Sequence, residues 1–271
     1  MSPDPLRDPD GAARLMGRFA AEAGRLLAGV ADRQDGRQAK PDGSPTTRAD
    51  LDSERLILGR LTHAWPAIPV VSEECDLPAS CGELFFLVDP LDGTRDYLSG
   101  EGEYSVNIAL VAGRRPLAAA LAAPTAGRVW VAGSSAEAAP FGASDAPLAW
   151  TPVAPRRSPA GGPVALVSRR HGDPDTEACL AELGVTTRRV ASSALKFGLL
   201  ASGEADIYVR CGPTMEWDTA AGDHILTAAG GAVLGPAGPL TYGHGERGFR
   251  NGPFAAFADP ALASRIRLPN R

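Results

Sequence analysis

The chain has 271 residues, 44% hydrophobic and 22% charged, which gives ample material for a core and no compositional case for disorder. That length suits one large domain or two fused ones. Twenty-seven basic against 32 acidic residues leave a net charge of −5, which argues against a generic nucleic-acid or anionic-membrane binder.

In chain order, residues 10–33 read as an amphipathic helix. Leu15, Phe19, Leu26, Leu27 and Val30 recur near helical period, and Asp35-Gly36 ends it. The polar stretch from Gln38 to Thr47 reads as a loop. A second helix starts near a Thr46 or Thr47 cap and runs to about His63. Strands are expected at Ile68–Ser72, at Leu84–Val88 stopping at Asp89, and at Tyr104–Val111, followed by a hairpin of Leu117–Ala122 and Arg128–Val131. Residues 134–162 are rich in Ala, Pro, Gly and Ser, as in an irregular segment or subdomain boundary. Beyond them come strands at Val164–Val167, Thr186–Val190 and Ile207–Arg210. Helices are expected at Asp175–Leu183, Ala194–Ser202 and about Asp218–Ala229, the last broken by Gly230-Gly231. Strands alternating with helices indicate layered α/β.

The other residue counts add three points. No apolar run approaches the ~20 residues needed to cross a bilayer, and the N-terminus lacks a basic-then-apolar signal pattern. Cys75, Cys81, Cys179 and Cys211 have no Cys-x-x-Cys spacing and no zinc-like grouping with the four histidines. Free thiols in a reducing, cytoplasmic setting are the expectation. Only two basic residues, Lys40 and Lys196, are lysines; the other 25 are arginines.

Acidic residues gather at the ends of apolar strands: Glu73 and Glu74, then Asp89 and Asp92, with Asp218 opening a helix. One Asp before Pro or Gly is usually a turn residue, and one at a helix start usually a cap. The combination says more. Asp89-Pro90-Leu91-Asp92-Gly93-Thr94 sets two carboxylates three residues apart around a rigid proline. Both, and the Leu91 carbonyl, can face one point, a hard-oxygen site suited to Mg2+. The amides of Gly93 and Thr94, at a helix start near Arg95, suit a phosphate oxygen.

Val71-Ser72-Glu73-Glu74, Asp89-Pro90-Leu91-Asp92-Gly93-Thr94 and Trp217-Asp218-Thr219-Ala220-Ala221-Gly222 resemble the three signatures of the inositol monophosphatase superfamily. The likeness runs from about Phe19 to Phe254. It implies a layered α/β/α/β/α sandwich with the site between an N-terminal α+β subdomain (1–133) and a C-terminal α/β subdomain (134–271), a homodimer, and lithium-sensitive Mg2+-dependent phosphatase activity. On that resemblance Glu73, Asp89, the Leu91 carbonyl, Asp92 and Asp218 hold two or three Mg2+ ions, with Asp89 bridging. Thr94 orients the attacking water with Asp50 of Thr47-Arg48-Ala49-Asp50, and Glu74 holds the water or a third ion. Two metals stabilise the attacking and leaving oxygens together. Without them the packed carboxylates repel, so a loosened metal-free site is expected.

Further segments resemble the subgroup of CysQ-type 3'(2'),5'-bisphosphate nucleotidases of sulfur assimilation, which remove the 3'-phosphate of adenosine 3',5'-bisphosphate to give AMP. They are the stretch from Lys40 to Thr47, Gly102-Glu103-Tyr104-Ser105-Val106-Asn107-Ile108-Ala109, Ser168-Arg169-Arg170-His171, Ser192-Ser193-Ala194-Leu195-Lys196-Phe197 with one extra residue, and Gly212-Pro213-Thr214. A bisphosphate needs a second anion site. Arg170, His171, Ser193, Lys196 and Arg210 are the candidates, with Gly93 and Thr94 at the first phosphate and Lys40 as a further substrate contact. The alternatives are an inositol-1-phosphate or other small-phosphomonoester phosphatase, a non-catalytic phospholigand binder, and a two-metal nuclease. The complete acidic set disfavours the second and the negative charge the third.

Overall fold

The computed structural model describes residues 2–30, 32–40, 43–100, 102–142, 148–169, 172–192 and 194–270. Helix α1 (Pro9–Gly29) starts on the Asp8 cap, whose carboxylate accepts the Gly11 amide. It stops four residues before the expected end, because Val30 is already extended. The expected loop at 38–47 contains a two-stranded ribbon, β1 (Gln38–Ala39) and β2 (Pro45–Thr46). Helix α2 (Arg48–Ala64) opens with a capping box: Thr47 is the cap and Asp50 reaches back to its amide.

Strands β3 (Val70–Ser72), β4 (Leu84–Asp92), β5 (Ser105–Ala112), β6 (Arg115–Ala123), β7 (Arg128–Ala132), β8 (Ala136–Pro140) and β9 (Thr151–Pro152) form one sheet in chain order, parallel at β3–β4 and antiparallel elsewhere. Thus Ala136–Pro140 and Thr151–Pro152, expected beyond the subdomain boundary, are paired into the first sheet. Small side chains permit that pairing as readily as a loop. A short helix α3 (Thr94–Ser99) follows β4. The second sheet has the order β11 (Thr187–Val190), β10 (Val164–Val167), β12 (Ile207–Arg210), β17 (Phe254–Phe257), β14 (Ala232–Gly235) and β15 (Gly238–Pro239). Strands β13 (Thr214–Met215) and β16 (Arg250–Asn251) make a separate ribbon. The remaining helices are α4 (Pro174–Glu182), α5 (Leu195–Ala201) and α6 (Glu216–Ala229).

Three apolar clusters separate five layers. Both faces of the first sheet are buried, so its strands alternate between two cores rather than between core and water. Phe86, Val88, Ile108 and Val131 pack under α1 and α2. Phe85, Leu87, Val111 and Trp130 face α5 and α6, whose other side meets Tyr208 and Phe254 of the second sheet. Ala165, Ile207 and Phe257 turn to α4. The result is the expected α/β/α/β/α sandwich.

Strand β4 does not stop at Asp89. Asp89 pairs with Asn107, then Asp92 pairs with Ser105, so Pro90 and Leu91 together oppose Val106. This bulge lets a proline sit inside a strand and re-aims the carboxylates that flank it.

Candidate active site

Four elements bring the acidic residues together. Glu73 and Glu74 follow β3, Asp89 and Asp92 flank the β4 bulge, and Asp218 lies in the first turn of α6. Asp50 lies in the first turn of α2, where its Oδ2 accepts the Thr47 amide (2.8 Å) and hydroxyl (2.5 Å). Its Oδ1 accepts the Thr94 hydroxyl at 3.1 Å, and Thr94 also lies 3.2 Å from the Leu91 carbonyl. The expected Asp50–Thr94 pair is therefore in hydrogen-bond contact. Gly93 takes a left-handed conformation (φ 93°), which turns the chain from the bulge into α3 at Thr94, one residue before the expected start.

The charges are neutralised from within the protein. Lys40, brought in by the β1–β2 ribbon, donates to Glu73 Oε1 and Glu74 Oε1, both at 2.6 Å. Thr46 donates to Glu74 Oε2 at 3.1 Å. The Ala194 amide holds Asp92 Oδ2 at 2.6 Å, and the Met215 amide holds Asp218 Oδ2 at 2.8 Å. Burial raises the Asp89 carboxyl well above its usual range, and the charges of Glu73, Asp92 and Asp218 add to the rise. Burial does the same to Asp218, reinforced by Asp92 and Glu73. Glu73 is raised by burial against the pull of Lys40. Asp50 rises to about 6, first by burial and then by the charge of Glu74, with the Thr47 and Thr94 hydrogen bonds opposing. Burial and mutual repulsion favour the protonated carboxyls, while backbone amides and one ammonium hold their oxygens.

The residues fit a hard divalent cation by chemistry. Every donor is a carboxylate or carbonyl oxygen. On the strands beside Asp89, Ser72 Oγ, Ser105 Oγ and both amide atoms of Asn107 are buried without a protein hydrogen-bond partner, which suits a hydrated ion. Among the described residues, no three acidic, His or Cys side chains stand in a ligating arrangement. Lys40 and the Ala194 and Met215 amides each engage one oxygen of the carboxylate they meet.

A cleft of about 700 Å³ opens over these groups. Glu73, Asp92, Gly93, Thr94 and Asp218 line it together with Lys196 and Arg210. Lys196 lies in α5 and is 2% exposed, its Nζ 4.6 Å from the Tyr208 ring centroid. Burial lowers its pKa to about 8, against the pull of Asp92. Arg210 donates to the Pro213 carbonyl at 3.0 Å, and its Nε is buried without a protein partner. Lys40 was expected to meet substrate, but its ammonium is spent on Glu73 and Glu74. Arg170, His171 and Ser193 lie outside the described residues. Two residues not singled out from the sequence, Arg95 and Arg250, also line the cleft. Arg95 stands inside the Asp-Gly-Thr-Arg run and was within reach of that motif; Arg250 has no local signature.

The sequence profile of the inositol monophosphatase family matches residues 13–265. The 3'(2'),5'-bisphosphate nucleotidase CysQ of Escherichia coli (strain K12) is 36% identical over 214 residues, 75% of this chain and 82% of that one. The Haemophilus influenzae protein of the same description is 31% identical over 242 residues, 84% of this chain and 86% of that one. Among solved structures, CysQ from Bacteroides thetaiotaomicron superposes with a TM-score of 0.73 at 30% identity, covering 90% of this chain and 96% of that one. With a profile that spans nearly all the layers described above, and the acidic motifs meeting in one cleft, this chain belongs to the inositol monophosphatase family.

Proposed function

We propose that the chain is a CysQ-type 3'(2'),5'-bisphosphate nucleotidase, a phosphoric monoester hydrolase that cleaves the 3'-phosphate of adenosine 3',5'-bisphosphate to give AMP and phosphate. The observation that carries the reading is one cleft that joins the acidic group and the Asp50–Thr94 pair to Lys196 and Arg210. The names of its relatives agree with it. Members of the family are generally metal-dependent. In our reading the ion is Mg2+, two or three per site, held by Glu73, Asp89, the Leu91 carbonyl, Asp92 and Asp218. Bound ions would neutralise the carboxylates, acidify a water and stabilise charge on the phosphoryl oxygens.

The chain's own residues do the rest. Thr94 Oγ, held by Asp50 Oδ1, orients the nucleophilic water, and Asp50 takes its proton; a carboxylate poised near neutrality is suited to that. Glu74 steadies the water or a third, weaker ion. The amides of Gly93 and Thr94 face the scissile phosphate. Lys196 and Arg210, with Arg170, His171 and Ser193, meet the 5'-phosphate and ribose. Among the described residues no helix is long and apolar enough to cross a membrane. The free thiols suit a reducing compartment, and we place the protein in the cytoplasm.

Turnover of adenosine 3',5'-bisphosphate, inositol 1-phosphate and fructose 1,6-bisphosphate, side by side with and without Mg2+, tests this. The nucleotide is expected to lead by at least tenfold in kcat/KM, and Asp89→Asn to abolish phosphate release while the fold persists. Inositol 1-phosphate leading by tenfold would sink the nucleotidase assignment; activity surviving in Asp89→Asn would sink the metal assignment.

A further inference from the structure

The segment that carries Lys196 is fastened to the other half of the molecule at three points. Ser192 Oγ donates to Asp96 Oδ2 at 2.7 Å, the Ser192 amide to Glu103 Oε2 at 2.8 Å, and the Ala194 amide to Asp92 Oδ2 at 2.6 Å. The partners are 96, 89 and 102 residues apart in the chain, so no local structure requires these bonds. All three acceptors are carboxylates from the stretch between the β4 bulge and β5, and charge-assisted bonds of this kind are roughly twice as strong as neutral ones. Ser192 and Asp96 are buried, at 4% and 8% exposure.

The acceptor side is built to hold its position. A Cβ on Gly102 would lie 2.2 Å from the Asp96 Cβ and 2.9 Å from its Cα. Only glycine lets the chain leading to Glu103 pass this close to Asp96. On the donor side, α5 begins at Leu195, immediately after the last clamped residue, and every residue of that helix is buried. Lys196 is the second residue of the helix. The side chain is buried, and its ammonium lies 4.6 Å from the Tyr208 ring centroid at the lining of the cleft.

We infer that Asp96 and Glu103 are positioning residues: through Ser192 they set the start of α5, and with it the Lys196 ammonium, for the second phosphate of a nucleoside bisphosphate. This rests on the nucleotidase reading above and assigns its selectivity for a second phosphate to this clamp. A substrate with only the scissile phosphate has less need of it.

The test compares adenosine 3',5'-bisphosphate with adenosine 3'-monophosphate, which keeps the scissile ester and lacks the 5'-phosphate. The full-length protein is assayed with Mg2+ as wild type, Ser192→Ala, Asp96→Ala and Glu103→Gln. We expect kcat/KM for the bisphosphate to fall at least tenfold in Ser192→Ala and Asp96→Ala, mostly through KM. The monophosphate should fall less than threefold, and Glu103→Gln, which keeps an acceptor oxygen, should lose least. A merely structural role would lower both substrates by one factor, and that result overturns the inference. So does an unchanged ratio in a wild-type background that discriminates. A wild type that treats both substrates alike overturns the nucleotidase reading itself. If Asp96→Ala does not fold, Ser192→Ala removes the same bond from the donor side and decides the matter.

Discussion

Lys40→Met separates two roles for a residue that the sequence assigned to substrate. Its ammonium sits 2.6 Å from both Glu73 and Glu74, with side-chain exposures of 18%, 25% and 5% for the three groups. Removing one partner of a buried ion pair costs about 3–5 kcal/mol. Partial exposure and the readiness of Glu73 to take a proton bring that to about 2–3 kcal/mol. At about 2–4 °C per kcal/mol for a protein of this size, the melting temperature in chelator should drop by about 5–10 °C. With Mg2+ present, the ion supplies the positive charge that the variant lacks. Mg2+ at a hundredfold its dissociation constant stabilises the wild type by about 2.7 kcal/mol; Lys40→Met should gain more, so the gap between the two proteins narrows to under about 1 kcal/mol. Thermal denaturation of both proteins, with chelator and with saturating Mg2+, reads this directly. A gap of equal size under both conditions would refute the reasoning, because Lys40 would then hold its glutamates whether or not an ion is bound. A rise in KM with no change in metal-induced stabilisation would return Lys40 to the substrate.

Two further substitutions probe the same cleft. Asp50→Asn should abolish turnover yet make the metal-free protein more stable at pH 7.5 by about 1–3 kcal/mol. The carboxyl is raised from 3.8 to about 6, so its ionisation in the folded state costs up to about 3 kcal/mol. Between about pH 4 and 6 the folded protein binds more protons here than the unfolded chain, so stability from this group falls as pH rises through that window. Urea denaturation should therefore show the variant's advantage at pH 7.5 about threefold that at pH 4.5, and a loss of stability at the higher pH would count against the burial argument. Lys196→Arg should raise KM for the bisphosphate about tenfold, since a planar guanidinium does not fit a 2%-exposed position against Tyr208; steady-state kinetics check it, with Arg14→Lys, at a half-exposed surface pair with Glu137, as the control expected to change nothing.

What could be read from the sequence follows the range of the interactions involved. Asp50 was found through Thr-x-x-Asp, and the capping box explains why that spacing works: one turn of α2 both closes the helix end and aims the carboxylate at Thr94. Asp89 and Asp92 are legible as a pair, but the local pattern ends the strand at Asp89, because a proline is ordinarily a stop and the bulge that admits it is set by β5, thirteen or more residues on. The strands missed in the last third are mostly two to four residues long, among Gly and Pro, and too short for a period to register. The Asp96–Ser192 and Glu103–Ser192 bonds join segments about ninety residues apart and have no local pattern at all.

The two lysines tie these levels together. At 25 of 27 basic positions the chain uses arginine, and the arginines with ion pairs are largely at the surface, as Arg14, Arg55, Arg60 and Arg188 are. Both lysines lie at the acidic group instead. Lys40 presents a point charge to two carboxylates at once, and Lys196 stands buried beneath the cleft beside Asp92. A guanidinium would present a wide plane and a permanent charge at both places. An ammonium is compact, and at Lys196 burial has brought its pKa down to about 8, so its proton is held loosely enough for a bound phosphate to restore it. Substrate binding at Lys196 should then take up protons between about pH 8 and 10, where the lysine is part-neutral before substrate binds and charged beside the bound phosphate. Bisphosphate affinity measured across that range should fall more slowly with pH in the wild type than the loss of the free ammonium alone dictates, and calorimetry in buffers of different ionisation enthalpy should register the uptake. No uptake at pH 8.5 would mean that Lys196 keeps its charge in the empty cleft and serves the carboxylates alone.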